Sequence, residues 1–235
     1  MIALYRLYQL VVMLPLMAVA TSLTAVATAV GCTAFGGGWW GYYPAAWWSK
    51  VMCALTLVKV DVKGLENISS EADYVFVANH QGAYDIFAVY GYLGHDFRWM
   101  MKRSLERIPL VGWACKRAGH IFVDTTAHGI AATMKAAEKQ LAGGMSLVVF
   151  PEGARTLTGR MGRFKRGAYN LASEFNLPVV PVTIDGAFDV MPRTGRIPRP
   201  GRIHLTVHKP ISPAHPQVME LSREAIASAL PPENR

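Results

Sequence analysis

Charge is missing from the N-terminal part of this chain: from Leu7 through Ser49, 43 consecutive residues, there is no Asp, Glu, Lys, Arg or His. A soluble domain rarely carries so long an uncharged stretch, whereas a bilayer core asks for about 20 apolar residues per helical span. Acidic residues are scarce throughout, 16 against 24 Lys and Arg, for a formal net charge of +8. A cationic excess draws nucleic acid, anionic lipid or phosphorylated small molecules without choosing among them. Beside an apolar N-terminus it favours anionic membrane and phospholipid head groups. No nucleic-acid-binding module is recognisable, so nucleic acid is not expected as a partner.

Cysteine is scarce too. Cys32, Cys53 and Cys115 form no motif, which excludes a small disulfide framework and leaves three inert thiols in a reducing, cytoplasmic setting. His204 and His208 lie four apart around a strand with no third ligand near in sequence, so no metal is expected. They and His95, His120, His128 and His215 are expected to be surface or core histidines. Nothing calls for a cofactor. The strand–helix elbow G-x-S-x-G is absent, because Gly144-Met145-Ser146-Leu147-Val148 lacks its closing glycine.

Val11 to Val30 is an apolar run of 20 residues, about 30 Å as a helix. Pro15 is expected to kink it, which a helix in lipid tolerates. The rival reading is a signal peptide, favoured by the small residues at Ala25–Ala29, although its apolar core would be shorter, about 7–15 residues. Gly36–Gly38 marks a break, and Trp39, Trp40, Tyr42, Tyr43, Trp47 and Trp48 suit the headgroup layer. Val51 to Val58 is expected to continue a second helix in or partly re-entering the membrane. Lys50, Lys59 and Lys63 against a lone Arg6 place the following domain on the cytoplasmic side. The expected division is a membrane anchor over residues 1–60 and a globular domain over 61–235.

In the globular part, Tyr74–Ala78, Ser146–Phe150, Val179–Ile184 and Ile203–Val207 read as strands. Asp85–Leu93, Ala127–Leu141, Ala168–Phe175 and Gln217–Leu230 read as helices, the second with an apolar side of Ile130, Met134, Ala137 and Leu141. Pro192–Arg202 is a basic loop. The alternation predicts an α/β fold, a mixed sheet flanked by helices, preceded by an N-terminal apolar helical anchor.

Two strand exits carry the chemistry. The first runs into Asn79-His80-Gln81-Gly82-Ala83-Tyr84-Asp85. With His80 in the turn and Asp85 on the first helical turn, the carboxylate can hold one imidazole N–H while the other nitrogen takes a hydroxyl proton. The competing reading is an aspartate that merely favours a helix N-terminus. The second exit runs into Pro151-Glu152-Gly153-Ala154-Arg155, with Arg160, Arg163, Lys165 and Arg166 beyond it. Glycine lets backbone N–H groups approach an anion, and the Arg155 guanidinium can grip phosphate through two parallel bonds. The competing reading is a solvated basic loop with Glu152 paired to Arg155. Arg193, Arg196, Arg199 and Arg202 are either a patch pressed onto anionic lipid or another solvated loop.

These clusters, in this order, resemble the glycerolipid acyltransferase family, whose bacterial members include 1-acyl-glycerol-3-phosphate acyltransferases, over nearly the whole chain. Asn79, His80 and Asp85 match its NHxxxxD block; Lys102, Leu105, Ile108, Pro109 and Gly112 its second block, with Gly119 and a strand at Phe122–Asp124 behind it. Phe150, Pro151, Glu152, Gly153 and Arg155 match FPEGxR, and Val180, Pro181 and Val182 the short apolar block near the acyl site. The resemblance implies catalysis by His80 and Asp85, with the acceptor phosphate bound at Glu152, Gly153, Arg155 and Lys102. It implies transfer of a fatty acyl group from acyl-CoA or acyl carrier protein to the free sn-2 hydroxyl of 1-acyl-sn-glycerol-3-phosphate, giving phosphatidic acid, on the cytoplasmic side of a bacterial-type inner membrane. The alternatives are another acceptor such as a lyso-ornithine lipid, a non-catalytic lipid-binding protein, and thioester hydrolysis. Three positions depart from the family pattern: Thr125 stands where it usually has an arginine, and Gly82 and Ala154 where it commonly has hydroxyl residues. Lys102 offers a point charge for the missing arginine, which does not reproduce a two-pronged guanidinium.

Overall fold

The computed structural model describes residues 2–123 and 127–235, with side chains described from residue 4 and, beyond the break, from residue 132. Helix α1 (Ile2–Tyr8), a π-helical turn (Gln9–Met13) and α2 (Leu14–Phe35) run on as one apolar rod. Its Leu4–Phe35 stretch is 32 residues, long and apolar enough to cross a membrane. The widened turn lies where the Pro15 ring would otherwise meet the carbonyl four residues back. After Gly36, α3 (Gly37–Trp40) and α4 (Tyr43–Leu55) carry the chain back antiparallel to the rod. The Trp48 Nε1 donates to Thr21 Oγ1 at 3.0 Å and the Tyr8 hydroxyl to the Leu55 carbonyl at 2.8 Å.

The aromatic stretch is therefore helical, and the second helix ends at Leu55 rather than running to Val58. Thr56 turns its hydroxyl back onto the Met52 carbonyl (2.8 Å), and Leu57 takes a left-handed φ of +57°. The chain then enters strand β1 (Val58–Lys63), whose V-K-V-D-V-K alternation is the period-2 pattern of a half-buried strand.

The remaining strands are β2 (Val75–Ala78), β3 (Arg98–Lys102), β4 (Ile121–Val123), β5 (Leu147–Val149), β6 (Val179–Asp185) and β7 (Gly201–Val207). They form one mixed sheet in the order β1-β7-β6-β2-β5-β3-β4. Among the described residues only the strands β6 and β7 pair antiparallel, so β6, β2, β5, β3 and β4 all point their carboxyl ends to one edge. In open sheets of this kind ligands bind outside those ends, where the strand order changes direction. Here that is around β2, the strand that exits into His80.

Helices cover both faces. Phe76 and Ala78 of β2, Val180, Val182 and Ile184 of β6, and Val148 of β5 face α4 and α5 (Asp85–Tyr92). The alternate residues Val75, Val77 and Val179 face α8 (Gly167–Glu174), and Leu147 faces α7 (Ala127–Ala142) through Ala137 and Leu141. The expected apolar side of α7 is in the core at Met134, Ala137 and Leu141, while the side chain of Ile130 lies outside the described residues.

The apolar rod does not stand clear of this domain. Ala25 and Ala29 of α2 pack on Ala114 of α6 (Val111–Arg117), a contact that small side chains make possible by letting helix backbones approach. Gln9 donates to the Pro198 carbonyl at 2.8 Å, and the buried Arg98 guanidinium donates to the Gly37 carbonyl at 2.6 Å. Ala29→Leu is expected to cost about 1–3 kcal/mol by overpacking the α2–α6 contact, while Ala27→Leu on the exposed side stays near neutral. Thermal unfolding of the two variants in one detergent checks this, and equal stabilities would contradict it.

Candidate active site

Asn79 fixes the first strand exit. Its amide donates to the Ile184 carbonyl and its Oδ1 accepts from the Ile184 N–H, both at 2.8 Å, so the end of β2 is latched to β6 by a two-way bond. His80 comes next, in the turn, and Asp85 opens α5. The two meet: His80 Nδ1 lies 2.7 Å from Asp85 Oδ2, and the same oxygen accepts from the Gly82 N–H at 2.9 Å. The carboxylate makes Nδ1 the protonated nitrogen and leaves Nε2 with its lone pair. The His80 side chain keeps 15% of its surface exposed while that of Asp85 has none. Burial pushes the Asp85 carboxyl above its ordinary range, and the bond to His80 pulls partly against that.

Gly82 is needed in this turn. A Cβ there would collide with the Ala187 carbonyl oxygen and lie 2.8 Å from that of Met191. The segment after β6 closes over the turn, with the Ala83 N–H on the Met191 carbonyl at 3.0 Å. In this chain a hydroxyl-bearing residue has no room at that position.

The second exit is bonded to the first. Glu152 Oε1 accepts the His80 N–H and Oε2 accepts the Gly162 N–H, each at 2.7 Å. The Thr156 N–H donates to the His80 carbonyl at 2.9 Å. Glu152 is thus a staple between loops and forms no ion pair with Arg155 among the described residues, which overturns the solvated-pair reading. Its burial raises its carboxyl pKa, and the two N–H bonds act the other way. Gly153 turns the chain with φ +77° and its N–H closes onto the Phe150 carbonyl at 2.9 Å. The Lys165 Nζ lies 2.7 Å from where a Gly153 Cβ would be, so that ammonium sits over the turn.

Arg155 is half-buried on this loop, one residue before Thr156. Lys102 ends β3 at the same sheet edge and is exposed. With β5 between them, β3 and β2 lie about 10 Å apart, so Lys102 flanks the dyad without touching it. Asp124 and the Thr125 departure lie outside the described residues.

Several side chains here escaped the sequence reading. Phe150 lies flat on the His80 ring, 3.9 Å between centroids and 8° between planes, and Trp99 backs Phe150 at 5.3 Å. The Phe150 signal was present in the FPEGxR match, but only the fold brings Trp99 from β3 behind it. Lys165 appeared in the sequence as one of four trailing cations with nothing to single it out.

An imidazole held in this way can take a proton at Nε2 from a bound hydroxyl. The raised Asp85 carboxyl also makes a stability prediction. A carboxyl whose folded-state pKa is raised binds its proton more tightly in the native state, so native stability falls as pH climbs from the unfolded value of about 3.9 through the folded one. Asp85→Asn lacks that term. The variant should therefore gain stability relative to the parent chain as pH rises above about 4, while losing turnover at every pH. Denaturant unfolding across that range tests the sign, and a relative loss with rising pH would refute it.

Comparison with known proteins agrees with the geometry. The sequence profile of the family described as Acyltransferase matches residues 59–185. A 1-acyl-sn-glycerol-3-phosphate acyltransferase of Chlamydomonas reinhardtii is 34% identical over 77% of this chain and 56% of its own length. One from Pseudomonas aeruginosa is 31% identical over 69% of this chain and 62% of its own. The chain thus spans less than two thirds of these relatives. The crystal structure of the 1-acyl-sn-glycerophosphate (LPA) acyltransferase PlsC from Thermotoga maritima shares the fold, with a TM-score of 0.69 at 24% identity over 88% of this chain and 92% of that one. On the matched span, which takes in both strand exits, the chain belongs to the Acyltransferase family.

Proposed function

We propose that this chain transfers a fatty acyl group from acyl-CoA or acyl carrier protein to the free sn-2 hydroxyl of 1-acyl-sn-glycerol-3-phosphate, giving phosphatidic acid. The observation that carries the reading is the His80–Asp85 bond held against the Glu152–Arg155 turn by two further hydrogen bonds. In the step proposed, His80 Nε2 removes the proton from the acceptor hydroxyl as its oxygen attacks the thioester carbonyl carbon. The C–S bond breaks and the thiolate leaves, taking a proton from the imidazolium. Asp85 steadies the cation that forms, and no covalent acyl-enzyme is required. Arg155 and Lys102 bind the acceptor phosphate, Glu152 keeps the Arg155 loop on the His80 backbone, and Gly153 gives the turn its close approach. The names of the relatives in Chlamydomonas and Pseudomonas support the acceptor. Thr125, standing where the family usually has an arginine, keeps a second reading in view, the same chemistry on another lysolipid such as a lyso-ornithine lipid.

We also propose residues 1–60 as a membrane anchor and 61–235 as the transferase domain, with β1 straddling the boundary. The anchor lies in one leaflet, on the cytoplasmic side. Contacts with the domain at Gln9, at Ala25 and Ala29, and at Gly37 are spread along the anchor, about 40 Å from first to last at helical rise. A rod fastened at both ends to one domain cannot thread a hydrocarbon core about 30 Å thick. Away from those contacts it exposes Leu7, Val11, Leu14, Leu16, Val19, Leu23, Val26 and Val30, apolar surface that calls for lipid around it. Such an anchor brings the base to a lysolipid and a diacyl product that both stay in the bilayer.

Two experiments test these readings. Purified chain with labelled acyl thioester and a panel of lysolipids should make phosphatidic acid from lysophosphatidic acid, and His80→Ala should lower turnover by about 10²–10⁴-fold. Free fatty acid as the sole product, or normal turnover in the variant, would defeat the scheme. For the anchor, single cysteines introduced by Arg6→Cys or Gly36→Cys, with Cys32, Cys53 and Cys115 replaced by Ser, should react with an impermeant maleimide from the same face of the membrane. Labelling from opposite faces would mean a true span.

A further inference from the structure

The basic loop after β6 does not behave uniformly. Arg202 is taken by Asp61 on β1 at 2.5 Å, so it is not available to a lipid. Arg193, exposed, donates to the Arg155 carbonyl at 3.4 Å. The middle of the loop packs on the first helix instead, where a cleft of about 730 Å³ opens between them. Its walls include Arg6 and Tyr5 from α1 and Arg196, Ile197, Pro198 and Arg199 from the loop. Three arginines, all exposed, thus line one cleft, and none has a carboxylate within ion-pair distance among the described residues. The buried Gln9, which donates to the Pro198 carbonyl, ties the loop to the N-terminal rod beside the cleft. Leu4, Leu7 and Leu10, exposed on the same helix end, put lipid-seeking surface beside it.

Like charges brought together without an acid cost free energy unless an anion joins them, and guanidinium groups grip phosphate through paired N–H bonds. We infer that this cleft is a binding site for the phosphate head group of an anionic phospholipid, distinct from the acceptor site at Arg155 and Lys102, with which its lining shares no residue. The ligand's phosphodiester sits among Arg6, Arg196 and Arg199, its glycerol against Tyr5 and Ile197, and its chains follow the leucines of α1 into the bilayer. A free phosphate satisfies the cations but leaves the leucine edge without a role, so the lipid is the favoured source. The site joins the anchor to the loop that touches Arg155 through Arg193.

The test uses the full chain reconstituted in nanodiscs of mixed phosphatidylcholine and phosphatidylglycerol, released and examined by native mass spectrometry. One phosphatidylglycerol is expected to stay bound in preference to phosphatidylcholine. Arg196→Gln with Arg199→Gln should weaken retention about 30-fold, taking roughly 1 kcal/mol per basic residue near anionic lipid. Arg117→Gln with Arg223→Gln, equal in charge change but remote from the cleft, should retain it. Arg196→Lys with Arg199→Lys keeps the charge and should fall between, which guards against misreading a folding defect. Equal loss in the Arg117/Arg223 control would reduce the effect to diffuse electrostatics and overturn the site. Displacement of the lipid by millimolar inorganic phosphate would reassign the cleft to a free anion and overturn it as a lipid site. A chain that lacks transferase activity yet retains phosphatidylglycerol would count against the acyl-transfer reading alone.

Discussion

A fully buried carboxylate facing one imidazole sets the terms for the rest of this structure. Asp85 has no exposed side-chain surface, and a charge out of water is tolerable only where hydrogen bonds replace the lost hydration. The replacements come from His80 Nδ1 and the Gly82 N–H, both converging on Oδ2. Those donors are in place because Asn79 latches the end of β2 to β6 and because Gly82 lets the segment after β6 close over the turn. Glu152 repeats the device from the neighbouring strand, its two oxygens on backbone N–H groups of His80 and Gly162. The site is therefore held by carboxylates bonded to loops, with Phe150 fixing the plane of the ring they present.

The N-terminal helices enter the same arrangement through packing. Helix α4 lies on the face of the core that contains α5, the helix that begins with Asp85. Its neighbour α3 receives Arg98 from β3, the residue beside Trp99. Deeper in, His120 accepts the Trp99 N–H and lies against the Tyr90 hydroxyl, which reaches the Gly41 carbonyl. Burial pushes the His120 pKa down to about 3, so this ring works as a neutral connector. The N-terminal helical hairpin and the aromatic stack behind His80 are thus parts of one polar and packed continuum.

Much of this was legible in the sequence because local signals and the fold agreed. The mixed α/β sheet followed from alternating apolar runs, and the His80–Asp85 spacing made sense once a glycine-bearing turn was allowed between strand and helix. The features that escaped are non-local. Strand β3, R-W-M-M-K, has no alternation because one end is buried and the other leaves the core. Strand β1 did alternate, but its first valine was absorbed into an apolar run that preceded it. No local signal singles out Arg98, whose buried guanidinium donates to the Gly37 carbonyl 61 residues away. The Pro192–Arg202 arginines read as one patch, yet they divide among Asp61, the Arg155 backbone and the cleft with α1, a division only tertiary contacts can make.

The protonation pattern of His80 is the most direct test of the central claim. Nitrogen-15 NMR of histidine-labelled chain at pH 8, assigned by comparison with the His80→Ala spectrum, should show the proton on Nδ1 and a bare Nε2 for this residue. Replacing Asp85 by Asn should redistribute the proton between the two nitrogens. A resting ring with its proton on Nε2, or one whose pattern ignores Asp85, would contradict a base aligned by that carboxylate.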